Sequence, residues 1–288
     1  MTRIRTIEWQ VAGACNYDCS YCIQSREYRR GRPQRDQLER AIATFAALPG
    51  RWEIKCSGGE AFAHPMFMQL VVPELMARTP HAISILTNFS ATHAELMEFA
   101  RLTRGRLAVF SASLHLESVS AEEFATKAAW FAMLLDEDTR LVVNQVVLPG
   151  HEDEAARCRA VIESRGLRWF PQLYKVDGGV AEYPSPDALI PLIGRRPSSR
   201  QANVAPSYRG RRCWAGVDYF TVDKDGDAWS CRTAKRYGEG RLGNVFDGSL
   251  ERAIAPAACA YDICPCTVPA NRGMIEGIAP SGVAEMFE

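Results

Sequence analysis

The chain has 288 residues, enough for one large domain or one domain with a small appendage. Its 34 basic and 34 acidic residues cancel, and 47% hydrophobic with 24% charged residues is the composition of a soluble globular protein. No net field draws it to nucleic acid or an anionic membrane, although Arg26, Arg29, Arg30, Arg32 and Arg35 make a local basic stretch. Residues 1–8 lack the apolar run of a signal peptide, and the longest helix-like apolar run, 128–135, is far short of the roughly 20 residues of a membrane span. The expected setting is therefore cytoplasmic and reducing, where ten cysteines serve as metal ligands or reactive thiols rather than disulfides.

Residues 4–11 read as a strand, followed at once by a loop holding three cysteines. Apolar positions Leu38, Ile42, Phe45 and Leu48 mark a helix over 35–48. The alternation continues: strand 52–56 and helix 65–78, strand 82–87 and helix 92–102, strand 107–114 and helix 120–136, strand 141–148 and helix 152–165, then strand 168–174. Six strands alternating with helices predict a parallel sheet with right-handed crossovers. An open doubly wound sheet and a partial barrel both satisfy this pattern. In either, the loops after the strands form the active edge. Unusual polar residues gather there: Ser57-Gly58-Gly59-Glu60, Thr87-Asn88, Ser111, Ser113 and His115, with Asn144, Gln145 and Gln172 inside the last two strands.

Residues 181–210 are rich in Pro, Ser and Arg and read as a linker. In 211–288, Tyr219–Val222 and Ala228–Cys231 flank Asp223-Lys-Asp-Gly-Asp, a hairpin signal, and Leu250–Ile254 suggests a short helix. Asp223, Asp225 and Asp227 do not fit a calcium loop, since Gly226 comes two positions early and Ala234 stands in place of the bidentate Glu. Trp9, Trp52, Trp169 and Cys158 read as core, and His64 as structural. A small cysteine-rich tail usually needs a metal to hold it.

Cys15, Cys19 and Cys22 place three thiolates within eight residues. Three ligands can converge on a four-iron cluster and leave one iron open; a zinc knuckle with a fourth ligand elsewhere is the alternative. The C-x3-C-x2-C spacing, with Tyr21 before the third cysteine and Gly58-Gly59-Glu60 after the second strand, resembles the radical S-adenosylmethionine superfamily over residues 4–175. Ala61 departs from the family's frequent Pro. The resemblance implies a partial (β/α)6 barrel over 1–180, followed by a small cysteine-rich domain with a β-hairpin. It implies a [4Fe–4S] cluster on Cys15, Cys19 and Cys22, with S-adenosylmethionine on its open iron. Tyr21 would lie near the adenine, and Gly58, Gly59 and Glu60 at the methionine ammonium. Ser111, Ser113 and Asn144 are candidates for ribose or carboxylate contacts.

Cys213 and Cys231, spaced C-x12-G-x4-C, resemble the opening of the auxiliary-cluster extensions called SPASM and Twitch. With Cys259, Cys264 and Cys266 they imply a second [4Fe–4S] cluster, one of the last three being spare; a structural zinc is the alternative. Cys56, which ends strand two beside the Gly-Gly-Glu loop, reads first as plain packing and second as a candidate hydrogen donor to a substrate radical, and His115 is a candidate substrate contact. The function implied is cleavage of S-adenosylmethionine to a 5′-deoxyadenosyl radical that takes hydrogen from a peptide, giving a crosslink, thioether or epimer. A sugar, aminocyclitol or nucleoside is the alternative substrate, and a non-catalytic electron-transfer protein the third reading. The expected reductant is of flavodoxin or ferredoxin type. With the first strand beginning near residue 4, no fused leader-recognition domain is expected, and a separate protein would supply that role.

Overall fold

A computed structural model describes residues 3–176, 179–193, 207–262, 264 and 267–278. The alternating units are β1 (Thr6–Ala12), α1 (Arg35–Ala46), β2 (Glu53–Gly58), α2 (Val72–Arg78), β3 (Ala82–Thr87), α3 (His93–Thr103), β4 (Leu107–Leu114), α4 (Ala121–Ala132), β5 (Arg140–Val147), α5 (Glu152–Glu163) and β6 (Arg168–Leu173). Then come β7 (Lys175–Val176), β8 (Gly179–Val180), α6 (Ile190–Ile193), β9 (Arg212–Cys213), β10 (Tyr219–Val222), β11 (Asp227–Trp229), α7 (Arg232–Arg236), β12 (Arg241–Asn244), β13 (Ala257–Ala258) and α8 (Thr267–Asn271).

Local chemistry sets the helix starts. Thr92 Oγ1 accepts from Glu95 N at 3.2 Å while the Glu95 carboxylate accepts from Thr92 N at 2.8 Å, and Ser120 and Glu123 make the same reciprocal box on α4. Each such cap contributes about 1 kcal/mol. A single π-type turn, Phe67–Val71, precedes α2, so the regular helix begins later than the apolar spacing suggests. The helix expected over Leu250–Ile254 does not form. Glu251 N donates to Leu242 O and Ala253 N to Gly216 O, so these amides serve neighbouring segments instead of a turn of their own.

The main sheet runs β12-β11-β10-β1-β2-β3-β4-β5-β6. Strands β1 to β6 follow one another in a single direction, without the reversal of order that a doubly wound sheet requires. Right-handed crossovers then put the crossover helices α1 to α5 on one face. That face holds the core, where Trp9 meets Phe45 edge-on at 5.1 Å and Phe89, Phe110 and Phe131 pack together. Trp52, Trp169 and Cys158 are buried in the same core. The other face lines a cavity, giving the partial barrel. The C-terminal hairpin does not stand apart: β10 pairs in parallel with β1, and β11 and β12 extend the sheet beyond it.

Charges inside the barrel tie the C-terminal segment to the first two strands. Arg272 donates to both oxygens of buried Glu53 at 2.6 and 2.7 Å, and Arg232 donates to Glu8 at 3.1 Å. Tyr219 also donates to Glu8, and Ser84 to Glu53. Burial works to raise the Glu8 pKa, but the Arg232 and Lys55 charges and the hydrogen bonds from Tyr219 and Arg232 outweigh it and hold the carboxyl at about 2, below its usual 4.5.

Removing one member of a buried pair strands the other charge at a cost of about 3–5 kcal/mol. Arg272→Ala is therefore expected to lower the unfolding free energy by about that amount, read from the denaturant midpoint. Because the folded pKa of Glu8 is depressed, its contribution is full above pH 4.5 and is lost as pH falls toward 2. Glu8→Gln should flatten the loss of stability across that window in acid titrations followed by circular dichroism.

Candidate metal and cofactor site

The loop after β1 carries Cys15, Cys19 and Cys22 and is folded back on itself by hydrogen bonds from Gly13 N and Ala14 N to Gly31 O, at 2.9 and 3.1 Å. The end of β2 presses against its start. Gly59 N donates to Ala12 O and Glu60 N to Ala14 O, both at 2.9 Å. A Cβ on Gly58, whose φ is +142°, would stand 2.1 Å from Ala12 O; one on Gly59 would stand 2.1 Å from Ala14 O and 2.2 Å from Gly13 O. Neither position accepts a side chain, because backbone meets backbone there.

Cys15, Cys19 and Cys22 border, with Gly58 and Gly59, a cavity of about 350 Å³. Burial first, and then neighbouring charges, raise the pKa values of Cys15 and Cys19; Cys19 is pushed up to about 11, with Glu117 and the other two thiols contributing. A cationic centre at this rim would relieve the opposition that neighbouring charges add at Cys15 and Cys19. Among the described residues, no three His, Cys, Asp or Glu side chains are gathered as a group that could hold a metal ion. The donors along this rim are soft thiols, the set that iron–sulfur clusters take. Asn144 Nδ2, buried and facing the same cavity, has no hydrogen-bond partner, which is the condition of a group awaiting a ligand. The residues therefore fit a cluster with an organic ligand beside it.

The other expected site residues divide. Tyr21, Ser111, Ser113 and His115 line the cavity. The Tyr21 hydroxyl lies 2.9 Å from His115 Nδ1 with the rings stacked at 5.8 Å, and Cys19 Sγ lies 3.4 Å from the same nitrogen. His115, expected as a substrate contact, is thus placed against the cysteine loop as well as the cavity. Burial lowers its pKa. Glu60, expected at an ammonium group, sits behind the cavity wall with no exposure. Its carboxylate accepts from Thr87 Oγ1 at 2.7 Å, Phe62 N at 3.1 Å and Asn88 N, and so fixes the loop after β3. Burial raises its pKa in spite of these donors. Asn88 in turn donates to Asn16 Oδ1 at 2.9 Å, which ties the same loop to the cysteine segment. Cys56 takes its packing reading: strand alternation turns it into the helix-side core, fully buried, where burial alone pushes its thiol up to about 12. It is not among the residues that line the cavity.

In the C-terminal part, Cys213 lies in β9 opposite Ala257, and Cys259 N donates to Arg211 O at 2.8 Å. Cys213 and Cys259 pack against one apolar cluster with Cys264, Tyr208 and Ile275. Cys231, expected at the end of a strand, instead caps α7, its sulfur accepting from Ala234 N at 3.3 Å, and packs in the neighbouring cluster with Tyr219 and Met274. Burial and the Cys259 charge push Cys213 up to about 11. Cys266 lies outside the described residues.

The sequence reading passed over Lys55, Arg232 and Arg272, all of which reach the cavity. A signal was there: Glu53, Lys55 and Ser57 put a polar residue at every second position of β2, which marks one face of that strand as polar and enclosed.

No family model matches the chain. A GTP 3′,8-cyclase of Stenotrophomonas maltophilia (strain R551-3) is 24% identical over 163 residues, 56% of this chain and 48% of that protein, so the chain spans about half the length of this curated relative. The fold is shared with anSMEcpe with bound AdoMet (TM-score 0.56, 15% identity, 84% of this chain and 78% of that one). It is also shared with Streptococcus suis SuiB bound to precursor peptide SuiA (TM-score 0.60, 14% identity, 86% of this chain and 63% of that one). The fold is therefore the partial barrel of radical S-adenosylmethionine enzymes, and Cys15, Cys19 and Cys22 carry the matching spacing.

Gly59→Ala is expected to displace the cysteine loop, destabilising the protein by about 1–3 kcal/mol and speeding the reaction of Cys15 with a thiol reagent. Gly105→Ala, where an added Cβ meets nothing within 4 Å, should leave that reaction rate unchanged.

Proposed function

We propose that this chain, with the fold and cysteine spacing of radical S-adenosylmethionine enzymes, is such an enzyme and acts on a peptide. One observation carries the reading: three thiols and two side-chain-free residues, Gly58 and Gly59, border the same cavity. Cys15, Cys19 and Cys22 would hold the cluster. When bound, a reduced [4Fe–4S] cluster would supply one-electron reductive cleavage of S-adenosylmethionine at its C5′–S bond, to methionine and a 5′-deoxyadenosyl group that would take hydrogen from the substrate. The chain's residues position and enclose the partners. Gly58 and Gly59 bring backbone close to the ligand. Asn144 offers its unpartnered amide N–H to a ribose or carboxylate oxygen, with Ser111 and Ser113 beside it on β4. Tyr21, held by His115, closes the adenine side. Glu60 acts from behind, fixing the loop that carries Asn88.

Residues 1–180 form the catalytic barrel in this reading, 181–210 a linker, and 211–288 an auxiliary-cluster region. The second [4Fe–4S] cluster would take Cys213, Cys231 and two of Cys259, Cys264 and Cys266. The shared cluster of Cys213, Cys259 and Cys264 supports it. A flavodoxin- or ferredoxin-type protein would deliver the electron, and a separate recognition protein would present the leader of the peptide. No described helix is long and apolar enough to cross a membrane. The peptide reading draws on the likeness to SuiB, solved with a precursor peptide, and on anSMEcpe, solved with a peptide as well as AdoMet. A small-molecule substrate is the second reading, favoured by the sequence match to a GTP 3′,8-cyclase.

Anaerobic protein with a reconstituted cluster, dithionite and S-adenosylmethionine is expected to release 5′-deoxyadenosine. Changing Cys15, Cys19 or Cys22 to Ala should abolish that product and leave the iron of the C-terminal region in place. Fully reconstituted wild-type protein that yields no 5′-deoxyadenosine would sink the proposal.

A further inference from the structure

One face of the cavity remains without a task. Glu8, Lys55, Ser84, Val109 and Arg140 are register partners across β1 to β5, a single layer of the sheet. This layer lies three residues below Gly58 along β2, about 10 Å toward the strands' N-terminal ends. The cavity reaches it: Glu8, Lys55, Val109 and Arg140 all line the wall. Among the described lining residues, Glu8 is the single carboxylate against six cations, Lys55, Arg140, Lys175, Arg232, Arg236 and Arg272.

The two acids near Lys55 are already engaged. Glu8 is taken by Arg232 and Tyr219, and Glu53 by Arg272 and Ser84. Among the described residues the Lys55 ammonium has no ion pair or hydrogen bond, although its half-buried side chain lines the barrel cavity. Burial lowers its pKa, and the charges of Arg272 and Arg232 oppose those of Glu8 and Glu53. Holding an unpaired lysine there costs stability unless an anion arrives to pair with it. A second group points the same way: Asn271 on α8, next to Arg272, borders the cavity with its Oδ1 buried and unpartnered. An acceptor of this kind suits a hydroxyl or N–H beside the anionic group.

We propose that Lys55 is the binding residue for an anionic group of the substrate, a carboxylate or phosphate, seated on the cavity floor with Arg232 and Arg272 beside it. The inference rests on the enzymatic reading above and adds the substrate's chemistry and orientation. The anionic end lies on the Lys55 layer, and the carbon that gives up hydrogen lies toward the cysteine loop. A carboxylate would come from an acidic side chain or chain terminus of a peptide, a phosphate from a phosphorylated small molecule.

Calorimetric titration of the reconstituted, AdoMet-loaded protein with pyrophosphate in one arm and succinate in the other tests this. At least one anion is expected to bind, at least tenfold more weakly to Lys55→Met and within threefold of wild type to Lys55→Arg. Pyrophosphate binding alone assigns the phosphate, and succinate binding alone the carboxylate. The proposal is overturned if neither anion binds, or if both bind Lys55→Met as tightly as wild type. Anion binding requires no cleavage of S-adenosylmethionine. A protein that binds the anion through Lys55 but yields no 5′-deoxyadenosine defeats the enzymatic reading alone, and the reverse result defeats this one alone.

Discussion

Everything at the open end of the barrel depends on one contact, the backbone of Gly58 and Gly59 pressed onto residues 12–14. Ala12 and Ala14 carbonyls accept from Gly59 and Glu60 amides, and the carbonyls leave no room for a Cβ at either glycine. This contact fixes the start of the cysteine loop relative to β2. It also sets Glu60 behind the wall, from which its carboxylate organises Thr87 and Asn88. Asn88 then reaches back to Asn16 in the cysteine segment. A ring of hydrogen bonds through three loops, with its closest approach at two glycines, thus holds the thiols at the cavity rim.

The opposite end is governed by the cost of enclosing charge. Strands β1 and β2 turn Glu8, Glu53 and Lys55 inward, and isolated charges there would be strongly destabilising. Arg232 and Arg272, from beyond residue 210, answer the two acids. The C-terminal segment is therefore not an appendage in physical terms: it adds strands to the sheet through β10 and counter-ions to the barrel interior. Lys55 is the charge left over, and it faces the space where a substrate would lie.

Much of this was legible in the chain. Alternating periods of two and 3.6 placed six strands and five helices in their observed order, with α2 beginning later than expected behind its π-type turn and α4 ending earlier. The three cysteines, Tyr21 and the Gly-Gly pair were readable because their spacing is set within single loops. Other features were not. The face on which Cys56 points follows from where β2 begins its alternation, and the sequence showed it only as a residue beside an interesting loop. Leu250–Ile254 had helix-like spacing, but tertiary hydrogen bonds claimed its amides. Glu60 carried a charge that looked available, and only packing shows both oxygens engaged.

By itself, then, the sequence determined the alternating α/β order and the soft-ligand loop after the first strand, since both are written in residues near one another. The tertiary structure decided which way each inward residue faces, which carboxylates are already neutralised, and that a lysine on β2 stands without a partner among the described residues. Those outcomes depend on contacts more than 200 residues apart, Glu8 with Arg232 and Glu53 with Arg272. Charge balance across such separations is settled only when folding brings the segments together, because a buried ion is stable by virtue of its neighbours in space.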